Sequence, residues 1–184
     1  MPGPKSRLAK GALEFIEGFD PRTFYHGTKS DEIKKFNRDS YFTSDPGEAE
    51  DYATGVALAQ EPELTGANVL PVRLKTDNLF DPDNQSDIDL LEEYADQYGM
   101  SADDFDVHEA AWGFIDEEFR RILQDAGFDG AIGRSGKLVN AVLFNPSGNV
   151  RSIFAKFDPK KSKSGDILAS GLLGAGALNE LVNE

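Results

Sequence analysis

Two histidines, no cysteine and five tyrosines among 184 residues limit the chemistry this chain can do. Thiolate nucleophiles, thiolate zinc sites and disulfides are excluded together, and a histidine-built metal centre has little to draw on. Catalysis has to run on oxygen, amide and aromatic groups. Three segments carry such groups: Tyr25-His26-Gly27-Thr28; Tyr41-Phe42-Thr43 with Ala49 and Tyr52-Ala53; and Asn140-Ala141-Val142-Leu143-Phe144. An imidazole donates from one nitrogen and accepts at the other. A glycine lets a ligand come close to the backbone, Thr28 offers a hydroxyl, and two tyrosine rings suit offset stacking on a flat heteroaromatic ring. The Asn140 amide brings hydrogen bonds and no charge.

These groups need elements that bring them together. Thr23 to Thr28 reads as a strand ending at a glycine, and Ser40 to Thr43 as a second short strand. Ser44 or Asp45 caps a helix that begins near Pro46 and carries Ala49, Tyr52, Ala53 and Val56 on one face. The eleven positions from Tyr41 to Tyr52 therefore run from strand through turn to helix, which lets the two rings converge. Asn68 to Leu74 reads as a buried strand and Leu79 to Asn84 as the turn leaving it. Ile88 to Tyr98 and Ala110 to Ala126 have helical spacing, the latter with Trp112, Ile115, Phe119, Ile122 and Leu123 on its apolar face, and are expected to cover a sheet edge. Asp129 to Ile132 and Leu138 to Phe144 form a hairpin turning at Ser135-Gly136, with Val150 to Phe157 as a final strand.

In order and in strand context, the three segments resemble the histidine, tyrosine and glutamate branch of ADP-ribosyltransferases, which includes poly(ADP-ribose) polymerases and diphtheria-toxin-like enzymes. The likeness runs over roughly residues 23 to 146. Gly127 to Ile132 and Val142 to Pro146 look more like the transferase domains of bacteriophage and mobile-element polyproteins. The resemblance implies an α+β fold of split antiparallel β-sheets with flanking helices, and NAD as a substrate without a metal. It places the adenosine ribose on His26, the nicotinamide carboxamide on the main chain of Gly27 with Thr28 beside it, and the nicotinamide ring between Tyr41 and Tyr52. Fixed oxygen groups would stabilise the oxocarbenium-like charge that develops as nicotinamide leaves.

The family's glutamate, which holds the nicotinamide ribose and helps the transition state, falls on Asn140. An amide stabilises a cation less than a carboxylate does, and loss of such a contact costs about 3 kcal/mol of barrier. Asp129 on the partner strand is a candidate replacement, although strand alternation could equally turn it away. Ala49 stands in place of a hydroxyl residue and Glu48 in place of a basic one, so transfer of a single ADP-ribose or NAD hydrolysis is expected rather than polymer growth. Each residue also has a plainer account. His26 fits a satisfied structural histidine, Tyr41 and Tyr52 core aromatics, and Asn140 an ordinary strand residue. Asp129 fits a turn with Gly130, and His108 a surface or capping group.

Length and composition suit one domain. The expected division is an N-terminal arm over 1–20, a transferase-like domain over 21–159, and a linker with an apolar tail over 160–184. With 33 acidic against 19 basic residues and a formal charge of −14, the chain as a whole repels phosphate backbones and anionic membrane surfaces, and nucleic acid is not expected as a partner. No secretory signal is read at the start, and the apolar run from Ile167 to Leu178 is broken by glycines and too short to span a bilayer. The expectation is a mono-ADP-ribosyltransferase of phage origin that acts on a host protein, located in the bacterial cytoplasm or the virion. The competing expectation is a degenerate module of the same fold, attached through its tails to a virion partner, or one that binds NAD without transferring it.

Overall fold

The computed structural model describes residues 19–30, 33, 35–36, 39–56, 67–112, 115–155 and 167. Among these residues seven strands are present: β1 (Phe24–Thr28), β2 (Ser40–Thr43), β3 (Asn68–Leu74), β4 (Leu79–Phe80), β5 (Gly130–Ser135), β6 (Leu138–Leu143) and β7 (Val150–Ser152). Among the described residues three α-helices accompany them: α1 (Pro46–Thr54), α2 (Gln85–Asp96) and α3 (Glu117–Asp125). The strands are ordered β4-β5-β6-β2-β1-β3-β7, and the fold class is α+β, as the resemblance implied. All pairings are antiparallel except β4 with β5. The split lies between β1 and β2, which are joined through the single pair Tyr25↔Thr43, whereas β1 pairs with β3 along all five of its residues.

Strand alternation divides the core in two. On one face Phe24, Phe42, Val72, Leu74, Ala141 and Leu143 pack together with Phe36. On the other face Ala131 and Val142 pack under Phe80, Leu91, Phe119, Ile122 and Leu123. Helices α2 and α3 therefore cover a face of the β4-β5-β6 half and not its edge.

The segment from Ala110 to Ala126 is not one helix. Ala110–Trp112 is a short 3-10 turn, and α3 begins afresh after Asp116, whose carboxylate accepts the Phe119 amide at 2.7 Å. An aspartate that caps a helix marks a start, so the apolar spacing across it belonged to two elements. Leu79-Phe80 forms a short parallel strand before its turn, and the last strand is confined to Val150–Ser152.

Phe19 bridges to Lys75, and the Asp20 amide donates to the Leu74 carbonyl at 2.8 Å. The rest of the expected arm and tail lies outside the described residues, with the exception of Ile167. That residue is 2% exposed, packs in the first core cluster, and accepts the Ser152 amide at 3.1 Å. Among the described residues no helix is long and apolar enough to cross a membrane.

Candidate functional site

A cleft of about 160 Å³ opens where β1 and β2 part, lined by His26, Gly27, Tyr41, Tyr52 and Asn140 among others. Beyond the Tyr25↔Thr43 pair the bridge between these strands is a side chain: His26 Nδ1 lies 2.8 Å from the Tyr41 carbonyl. A carbonyl only accepts, so Nδ1 carries the proton. Burial lowers the His26 pKa below its usual value, against the opposing pull of the Tyr41 carbonyl, which keeps the ring neutral at pH 7 and leaves Nε2 an acceptor. The ring is wedged edge-on against Phe36, 4.9 Å between centroids, and lies 5.4 Å from Phe42.

Helix α1 brings in the second tyrosine. Asp45 caps it by accepting the Gly47 amide at 2.7 Å, Pro46 opens it, and Gly55 ends it in the left-handed conformation at φ 85°. Ala49 and Ala53 are buried against the sheet, whereas Tyr52 is 37% and Val56 45% exposed. Burial raises the Tyr52 pKa, with a smaller push from Glu48. Burial likewise raises that of Tyr41, with Asp39 and Tyr52 adding and Arg120 opposing. Arg120 on α3 lies 3.0 Å from the Asp39 carboxylate, an ion pair that ties the helix to the approach to β2.

Gly27 has a structural task. A Cβ there would stand 1.9 Å from the Ala49 carbonyl oxygen and 2.9 Å from the Ala53 amide nitrogen. The missing side chain lets α1 lie directly on β1, which is what sets Tyr52 over the cleft. Thr28 is not among the lining residues; it pairs with Asn68 at the far end of β1, and its hydroxyl accepts the Ser30 amide at 3.1 Å in a local turn.

Asn140 is 4% exposed and lies opposite Thr43 on the neighbouring strand. Its Nδ2 donates to Glu48 Oε1 at 3.1 Å, and its buried Oδ1 has no hydrogen-bond partner among the described residues. Asp129 does not supply the third-motif carboxylate. It is exposed, sits before Gly130, four positions from Gly133, the register partner of Asn140, and is 3.3 Å from the Asn78 side-chain amide.

The sequence reading assigned no role to Tyr25 and Thr43, although both stand in its segments, and passed over Asp39 and Ala111 as lining residues. Tyr25 and Thr43 adjoin residues already singled out and were within reach of the strand pattern, whereas Ala111 arrives from a distant 3-10 turn with no local signal. Among the described residues, no group of three or more His, Asp or Glu side chains is placed to hold a metal ion.

No curated protein and no solved structure matches this chain. The model of a family described as ADP-ribosyltransferase in polyvalent proteins matches residues 17–166, a span that takes in every described strand and helix, and the chain belongs to that family.

Proposed function

We propose that the protein transfers one ADP-ribose unit from NAD to a side chain of another protein, with nicotinamide as the leaving group. The observation that supports this reading is one cleft lined by two tyrosines, a neutral histidine and Asn140, whose buried amide oxygen has no hydrogen-bond partner among the described residues. NAD is the substrate of the family's reaction. Its nicotinamide is a flat cation, suited to lie between the Tyr41 and Tyr52 rings by stacking and cation–π attraction. His26 Nε2 would accept a hydroxyl of the adenosine ribose, and Asn140 Oδ1 a hydroxyl of the nicotinamide ribose. The cleft is about half the lower limit of usual ligand pockets, roughly 300 Å³. It therefore suits the nicotinamide end, with the rest of the dinucleotide along the open strands.

In the reaction the bond between the anomeric carbon and the nicotinamide nitrogen breaks, and its electron pair leaves with nicotinamide. The ribose takes on oxocarbenium character, which fixed oxygen groups stabilise. An oxygen or nitrogen of the acceptor side chain then bonds to that carbon and releases its proton. Ala49 and Glu48, standing where polymer-forming relatives of the resemblance carry a hydroxyl and a base, favour a single transfer. The setting we infer is a bacteriophage or mobile element with a host protein as acceptor; the family's occurrence in polyvalent proteins supports it.

A second reading is favoured by one observation, the amide at the position of the family's glutamate: the fold serves as a binding or virion module without turnover. Purified protein incubated with NAD separates the two. Nicotinamide release and labelling of acceptor proteins, both lost in His26→Ala and Tyr41→Ala, are expected for the enzyme. NAD binding without product would favour the second reading, and activity unchanged in those variants would reject the site.

A further inference from the structure

Glu48 occupies the third position of α1, where a glutamate ordinarily reaches back to the amide of the capping residue. Here it does not. The Asp45 amide donates instead to Thr43 Oγ1 at 3.1 Å, and that hydroxyl donates to Glu48 Oε2. The other carboxylate oxygen, Oε1, accepts from Asn140 Nδ2 at 3.1 Å. Thr43 and Asn140 are register partners on adjacent strands, both buried and both lining the cleft, and the Glu48 carboxylate bridges their side chains.

Building on the function proposed above, we infer that Glu48 is the positioning residue of the third motif, and that the Glu48–Asn140 pair replaces the single carboxylate this chain lacks. A carboxylate can only accept, so it holds the amide nitrogen of Asn140 toward itself and turns Oδ1 into the cleft. A flipped amide would set oxygen against oxygen and leave the nitrogen in the cleft. The ionic partner also polarises the amide, which makes Oδ1 a stronger acceptor for a sugar hydroxyl. The negative charge thus sits one group behind the reacting carbon, on the helix and not on the strand. Oδ1, buried and without a hydrogen-bond partner among the described residues, belongs to a residue that lines the cleft and is the acceptor that this arrangement presents.

The test uses Glu48→Gln, which keeps shape but can donate to Oδ1 and so releases the amide orientation. Glu48→Ala serves as a second variant should the glutamine fail to fold. Two readouts are taken on the whole chain. The first is the side-chain amide ¹H–¹⁵N signal of Asn140, assigned by its disappearance in Asn140→Asp. The second is nicotinamide release from NAD. The expected result is a displaced Asn140 signal in both variants, a fall in kcat of roughly tenfold to a hundredfold with KM changed by less than about threefold, and partial recovery of Glu48→Ala by added formate. An Asn140 signal that stays in place in both variants, or a wild-type kcat in either, overturns the inference. If the wild type releases no nicotinamide while the signal still moves, the functional reading fails, and the orientation of Asn140 by Glu48 is supported on its own.

Discussion

One methyl group added at Gly27 is expected to pry α1 away from β1. The Cβ of Gly27→Ala would meet two backbone atoms, the Ala49 oxygen at 1.9 Å and the Ala53 nitrogen at 2.9 Å. A helix backbone cannot rotate aside as a side chain can, so restoring van der Waals contact requires α1 to move by roughly 1 Å. That movement opens a seam in which Ala49 and Ala53 are each 1% exposed. Overpacking of this kind costs about 1–3 kcal/mol, and in a domain of this size each kcal/mol lowers the melting temperature by about 2–4 °C. Because α1 carries both Tyr52 and Glu48, a misplacement of about 1 Å should also reduce turnover by about a hundredfold. Urea titration followed by circular dichroism measures the first effect and nicotinamide release the second. The control is Gly47→Ala in the same helix, where the Cβ meets the Asp45 side chain at 3.1 Å. It is expected to be at least as stable as the wild type, since alanine is favoured over glycine in helices by about 1 kcal/mol. A Gly27→Ala protein within about 0.5 kcal/mol of the wild type, the range of ordinary surface changes, would refute the account of the seam.

Asn140→Glu alone should not gain activity. It sets a second carboxylate against Glu48, which raises the pKa of one of them and costs about 1.4 kcal/mol per unit. Its stability should therefore fall as pH rises above the unfolded glutamate value of about 4.3, while Asn140→Glu with Glu48→Gln recovers stability and turnover. A single variant as stable as the wild type and faster would contradict this. The buried neutral His26, with its pKa below 6.5, binds a proton less readily folded than unfolded. Its contribution is complete above about pH 6.5 and is lost as pH falls from there toward the folded value. Denaturation at pH 7.5 and 5.5 should show the wild type losing more stability than His26→Gln, and equal losses would count against it. Asp45→Ala removes the cap of α1 and is expected to lower stability by about 1 kcal/mol; an unchanged urea midpoint would show that the helix start is held by other means.

Much of the site was legible because its pieces are local. Asp45, Pro46 and the pair Ala49 and Ala53 announce a short helix after a strand, and the two tyrosines of that unit both line the cleft. The Ser135-Gly136 turn likewise places β5 beside β6. Thr28 stands apart from the cleft lining, and its hydroxyl at the strand end has a local donor, the Ser30 amide. The long helix from Ala110 failed because apolar periodicity ignores a capping aspartate in its midst, and Asp116 is such a residue.

The sequence alone determined most of the strands and the short helix after β2, and it singled out Gly27, Tyr41 and Tyr52, which line one cleft. These depend on backbone preferences and contacts within a few turns of chain. Only the tertiary structure decided that β1 and β2 part after one pair, that Ile167 returns to the core, and that Asn140 faces Glu48 across 92 positions. A polar partner is chosen by which strands lie side by side, and that order is set by the closing of loops and the sharing of two buried faces, neither of which is written in any short stretch of residues.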